Sequence, residues 1–134
     1  MIIVDSTVLI DYLIGEERFQ SQAKSLMKID PYWVLPSLWN YEFGNTLWKM
    51  VSFKKFSPEI AELLVGEAEH LVFETVEIID SSAILKIATE RSLTFYDASF
   101  VWLAKSRGLK LYTRDLEILQ KSPEVALNPM DLIY

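Results

Sequence analysis

Four acids in this chain stand where chemistry is possible: Asp5, Glu42, Asp97 and Asp115. Asp5 follows the apolar run Ile2-Ile3-Val4, and Asp115 lies just beyond Leu109-Lys110-Leu111-Tyr112. Glu42 falls in the second turn of a helix expected after Leu35, and Asp97 opens another. Two carboxylates held ~4 Å apart repel by about 4 kcal/mol at an effective dielectric near 20, so four in one place would raise pKa values or loosen the fold unless a cation joined them. The chain has no cysteine and a single histidine, His70. An all-oxygen donor set of this kind favours Mg2+ or Mn2+ over zinc.

Each acid also has an ordinary structural role open to it. Asp5 and Asp115 suit helix N-caps, the latter together with Thr113. Glu42 could partner Lys49, and Asp97 could be a first-turn acid favoured by the helix dipole. Local pattern adds to this. Asp97 shares a helix face with Phe100, Val101 and Ala104, which turns it toward packed apolar surface, where an isolated charge is costly. The helix around Glu42 is apolar or aromatic almost all round, yet Glu42, Asn45, Thr46 and Lys49 form one polar stripe, as expected of a buried helix that lines a cleft.

The elements that must position these residues can be read from periodicity and caps. Strands are expected at Ile2–Val4, Tyr32–Leu35, Leu71–Val76 and Leu109–Tyr112, with a small edge strand at Val125–Leu127 before a tail. Helices are expected after the Asp5-Ser6-Thr7 cap, over about 16–29, from Pro36-Ser37 to about Phe53, from Ser57-Pro58, over 81–91, over 95–106 with Gly108 as the stop, and over 114–121. Strands alternating with helices predict an α/β fold, a mostly parallel four- to five-stranded sheet with helices on both faces. Ligands of such sheets bind at the carboxyl edge of the strands. Chain direction alone brings the starts of all four acid-bearing segments to that edge.

Composition sets the outer bounds. At 134 residues, 51% hydrophobic and 24% charged, the chain suits one folded domain over 1–134. A net charge of −6 argues against broad electrostatic gripping of nucleic acid, leaving room for a local basic path. No apolar run approaches the ~18 residues of a membrane span, and the N-terminus lacks the pattern of a signal peptide, so a cytoplasmic protein without a membrane partner is expected. The lone His70 and the lack of a Gly-x-Ser-x-Gly elbow leave serine hydrolase chemistry without its parts, and His70 is expected to be structural.

Ile-Ile-Val-Asp5-Ser-Thr-Val-Leu, Asn40-Tyr-Glu42-Phe-Gly-Asn45-Thr-Leu, Tyr96-Asp97-Ala-Ser-Phe and Leu111-Tyr-Thr113-Arg-Asp115 resemble, in order, the four motifs of PIN-domain ribonucleases, and among them the small VapC toxins. The resemblance implies a PIN-like three-layer sandwich and a Mg2+- or Mn2+-dependent endoribonuclease. In it, Asp5 and Asp97 hold the metal most directly, Asp115 completes or orients the shell, and Glu42 positions a water or a second metal. Ser6, Asn45 and Thr113 take supporting polar positions. An RNA substrate, an antitoxin partner and a homodimer are implied as well. Many relatives carry a further Asp and then Phe after the last motif. Glu117 and Ile118 stand there in this chain, leaving a fifth acid ligand open.

Lys49, Lys54 and Lys55 could carry RNA backbone away from the site, or simply form a solvated helix end. Trp39, Trp48, Phe53 and Phe56 are read as core or a dimer face in preference to a base-stacking surface, with the dimer face favoured. A PIN fold acting mainly by binding in RNA processing is the nearest alternative. A phosphoacceptor regulatory domain is remote, because such a domain wants paired acids after the first strand, and Ser6 follows Asp5.

Overall fold

The computed structural model describes residues 1–132, and Ile133 and Tyr134, at the end of the expected tail, lie outside the described residues. Five strands form one sheet: β1 (Ile2–Val4), β2 (Trp33–Pro36), β3 (Val72–Val76), β4 (Leu111–Tyr112) and β5 (Ala126–Leu127). Their order is β3-β2-β1-β4-β5, and every pairing is parallel. All three residues of β1 are apolar, β-branched and buried, as a central strand covered on both faces requires. Ile3, Val4, Val34, Leu35 and Leu111 build the middle of the core.

Among the described residues, seven α-helices flank the sheet: α1 (Ser6–Ile14), α2 (Glu17–Ile29), α3 (Trp39–Ser52), α4 (Pro58–Leu71), α5 (Ser81–Arg91), α6 (Phe95–Arg107) and α7 (Leu116–Lys121). The α6 helix packs on β1, β2 and β4. It buries Ala98, Ser99, Phe100, Val101, Leu103 and Ala104, so it is the innermost helix and its N-terminus is held rigidly. Its C-terminus closes at Gly108, in the left-handed region with φ of 65°. No helix among the described residues is long and apolar enough to cross a membrane.

The boundaries differ from expectation by more than one residue in three places, each for a hydrogen-bonding reason. α3 begins at Trp39 because β2 continues to Pro36, which pairs with Val76, and Ser37 N–H then donates to Val76 O (2.8 Å). β4 starts at Leu111 because Leu109 N–H is taken by Ala104 O (3.0 Å) in the turn after Gly108. α7 starts at Leu116 because Asp115 is its N-cap and lies outside the helix.

The sheet register positions the site. Val4 is the partner of Tyr112, so the residues that follow, Asp5 and Thr113, leave neighbouring strands side by side at the carboxyl edge. Asp5 N–H donates to Tyr112 O (3.0 Å) and Thr113 N–H to Leu127 O (2.9 Å), extending the ladder into the site itself.

Candidate active site

Asp5 is buried, 7% exposed, and does two things at once. Its Oδ1 accepts from Thr7 N–H (3.4 Å) as the N-cap of α1, and its Oδ2 accepts from the Thr113 hydroxyl (2.7 Å). Thr113 is fully buried, and its Oγ1 in turn accepts from Asp115 N–H (3.0 Å). Asp115 spends Oδ1 on capping α7, accepting from Glu117 N–H (2.8 Å) and Ile118 N–H (3.3 Å). The capping roles open to Asp5 and Asp115 are therefore real. Neither exhausts its carboxylate, because capping engages one oxygen and leaves the other for the site.

Asp97 occupies the third position of α6, where its backbone N–H donates to Thr94 Oγ1 (3.1 Å). The Thr94-Phe95-Tyr96-Asp97 spacing is a capping pattern legible in sequence, and Thr94 is a positioning residue that the sequence reading passed over. Glu42 lies in the first turn of α3, half-buried, and its Oε1 is buried without a hydrogen-bond partner. Lys49 is exposed and forms no ion pair with it among the described residues.

The electrostatics show that these acids face one another. Burial pushes Glu42 up to about 7, and the charges of Asp5 and Asp97 push in the same direction. Asp97 is raised to about 6, first by burial and then by Asp115, Asp5 and Glu117, with the Thr94 hydroxyl offsetting part of the rise. Asp5 is raised chiefly by burial, against the lowering effect of Thr113 and Thr7, and Asp115 adds to the rise. Asp5, Glu42 and Asp97 thus each feel the charge of acids from distant segments. Glu117 is exposed but near enough to act on Asp97.

The remaining candidates separate. Ser6 Oγ is buried beside the Glu42 carboxyl, near enough to oppose its rise, yet it lies outside hydrogen-bond geometry and has no other partner. Asn45 is exposed, and Thr46 turns back to donate its hydroxyl to Glu42 O (3.0 Å), so the polar stripe of α3 reaches the acids only at Glu42. Lys49, Lys54 and Lys55 are all exposed at the far end of α3 and just beyond it. His70 is exposed in the last turn of α4. Trp39 was grouped with a dimer face but is a core residue, 6% exposed, because its indole N–H reaches Thr75 Oγ1 (2.9 Å) and its ring packs near Phe43. Phe56 packs against the core, whereas Trp48 and Phe53 stand out from it.

The donor set suits a hard divalent cation. It consists of carboxylate and hydroxyl oxygens, it includes two buried unpartnered atoms, Ser6 Oγ and Glu42 Oε1, and its acids are destabilised by mutual repulsion that a cation would relieve. Among the described residues, no three acids stand in the finished arrangement of an ion cage, so side-chain adjustment would accompany binding.

A family model described as "PIN domain" matches residues 2–122. The chain is similar to an exonuclease named VapC9 from Pyrobaculum aerophilum, with 38% identity over 87 residues, which is 61% of this chain and 61% of that protein's own length. It is also similar to a ribonuclease named VapC3 from the same organism, with 28% identity over 132 residues, or 91% and 95% of the two chains. A solved structure from a toxin–antitoxin complex of Klebsiella pneumoniae shares the fold, with a TM-score of 0.72, 17% identity, and coverage of 96% of this chain and 98% of that one.

Proposed function

From the premise that the chain belongs to the PIN-domain family, we propose that it is a divalent-metal-dependent endoribonuclease, the toxin of a toxin–antitoxin pair. The supporting observation is the convergence of Asp5, Glu42, Asp97 and Asp115, each raising or feeling the charge of the others at one sheet edge. The relatives named exonuclease and ribonuclease support a hydrolase acting on nucleic acid. The architecture shared with a chain from a toxin–antitoxin complex is consistent with an antitoxin partner.

Asp5, Asp97 and Asp115 would hold Mg2+ or Mn2+, with Glu42 beside them, and the bound ion would polarise a phosphate oxygen and lower the pKa of the attacking water. Asp5 is fixed by Thr113 and buried, so it contributes a carboxylate oxygen whose position does not wander. Asp97 sits in the first turn of the innermost helix, where its backbone N–H is held by Thr94. Glu42, half-buried beside them with Oε1 free of any hydrogen bond, can accept a proton from the attacking water and return it to solvent. Ser6 supplies a hydroxyl beside that carboxyl. No side chain need act as nucleophile. The exposed Lys49, Lys54 and Lys55 supply the basic path along which RNA backbone leaves the acids.

The test is a cleavage panel of transfer, ribosomal and messenger RNAs with wild type and Asp5→Asn, in Mn2+, in Mg2+ and in excess EDTA. Internal cleavage by wild type that EDTA stops reversibly, and that Asp5→Asn lacks, is the expected result. Activity persisting in EDTA overturns metal dependence. Metal-dependent RNA binding without cleavage would favour the binding-module alternative.

A further inference from the structure

Arg114 lies between the two residues that organise the site, yet its side chain leaves the site altogether. Nε donates to Asp11 Oδ2 (2.6 Å) and Nη2 to Asp11 Oδ1 (2.9 Å), a two-pronged pair in which Asp11 is almost wholly buried. The guanidinium also lies over the Phe19 ring, 3.6 Å from its centroid. Arginine suits this place because its planar fork matches a carboxylate while its face stacks on an aromatic ring.

The chain closes tightly behind Asp11. Gly15 N–H donates to Asp11 O (3.1 Å). A Cβ at Gly15 would fall 2.6 Å from Asp11 Cα and 3.0 Å from Asp11 Oδ1, so glycine is required there for the acid to keep its seat. Asp11 therefore has little freedom to follow a moving partner.

The consequence lies at the acids. α1 begins at Asp5 and carries Asp11, while the segment after β4 carries Thr113, Arg114 and Asp115 in succession. These two segments are fastened twice, by Asp5 with Thr113 and by Asp11 with Arg114. The Asp5–Thr113 bond is one side-chain tie about which the segment after β4 can turn, and the Asp11–Arg114 fork supplies a second point that stops that rotation.

We propose that Asp11 and Arg114 are positioning residues for the acid site, fixing the spacing between Asp5 and Asp115 at which a divalent cation binds. This rests on the metal-dependent reading above. An ion pair of merely structural value would change the melt and leave cation affinity alone.

Mn2+ affinity, measured without RNA by the electron paramagnetic signal of free Mn2+, separates the two. Asp11→Asn and Arg114→Gln should each weaken binding by about 10-fold, the scale of lost outer-shell support. The double variant should bind no more weakly than the worse single one, because the two act as one unit. Arg107→Gln is the control: it breaks another forked pair, with Glu74 (2.8 and 2.7 Å), which joins the end of α6 to β3 away from the acids, and it should leave Mn2+ affinity unchanged. Unchanged affinity in folded Asp11→Asn and Arg114→Gln, or an equal loss in Arg107→Gln, overturns the proposal. If Asp11→Asn does not fold, Arg114→Lys keeps the charge and loses the fork, and wild-type affinity in that variant overturns it equally. A wild-type chain that binds no Mn2+ removes both this inference and its parent. One that binds Mn2+ but cleaves no RNA defeats the catalytic reading alone, and the variant affinities still decide this one.

Discussion

Asp5 and Thr113, 108 positions apart in sequence, share a 2.7 Å hydrogen bond in the interior, at the point where β1 and β4 end in register. Thr113 Oγ1 has one hydrogen to give and gives it to Asp5, so it must receive from Asp115 N–H. One hydroxyl therefore sets the polarity of the whole edge. Thr113→Val should cost about 1–3 kcal/mol by leaving Asp5 Oδ2 and Asp115 N–H without their partner. Thr113→Ser should recover most of this. Chemical denaturation of the three proteins measures it, and equal stability of the valine and serine forms would show that the bond carries little.

Asp97→Asn and Glu42→Gln remove a charge from a repelling cluster and so should leave the metal-free melt unchanged or higher. Cleavage of single-stranded RNA should fall by roughly 10²–10⁴-fold for Glu42→Gln, the range expected for loss of a general base, and at least as far for Asp97→Asn. Calorimetry and gel assays on the same preparations check both halves. A less stable, fully active Asp97→Asn would place that acid outside the mechanism.

The same acids fix the sign of a pH effect. Glu42 rises from 4.5 to about 7 on folding and Asp97 from 3.8 to about 6, so the folded chain holds protons that the unfolded chain releases. Stability in EDTA is then fullest near pH 4 as far as these groups are concerned, and falls as pH climbs through 6 and 7. The carboxylates with lowered pKa values, Glu74 and Glu124, act in the opposite sense but below about pH 4.5, outside this window. Tm in EDTA should therefore be higher at pH 5 than at pH 8, each kcal/mol of difference appearing as roughly 3–5 °C. Mn2+ should raise Tm at pH 8 far more than at pH 5. A Tm in EDTA that climbs steadily from pH 5 to pH 8 would contradict the crowding of these acids.

The fold and the acid set were legible because both depend on short-range signals. A three-residue β-branched run announces a covered strand, and chain direction then carries Asp5 to the carboxyl edge. Gly108 ended α6 as its position suggested. What sequence could not provide were pairings decided by register and packing. Asp11 reads as one more polar residue on α1, and nothing near it names Arg114, 103 positions away. Trp39 looked like its exposed neighbours because the partner that draws its indole inward, Thr75, belongs to β3. Asn45 shares the stripe of Glu42 by spacing and is exposed to solvent, a difference that spacing along one helix does not reveal.

The outer face of α3 bears on the oligomer. Trp48 is 64% exposed and lines a groove of about 310 Å3 between α3 and α4 together with Leu47, Val51, Ala61 and Val65, and Phe53, just beyond the end of α3, is 73% exposed. Large aromatic side chains left in water next to an apolar groove are the residues that most often anchor interfaces. With Trp39 assigned to the core, a homodimer through this face must rest on Trp48 and Phe53. Sedimentation should report a dimer for wild type and a monomer for the double variant Trp48→Glu, Phe53→Glu. Because both side chains are exposed, the substitutions should shift the stability of each protomer by no more than about 0.5 kcal/mol apiece, so loss of the dimer would not be loss of the fold. A wild-type monomer would overturn the dimer reading of this face.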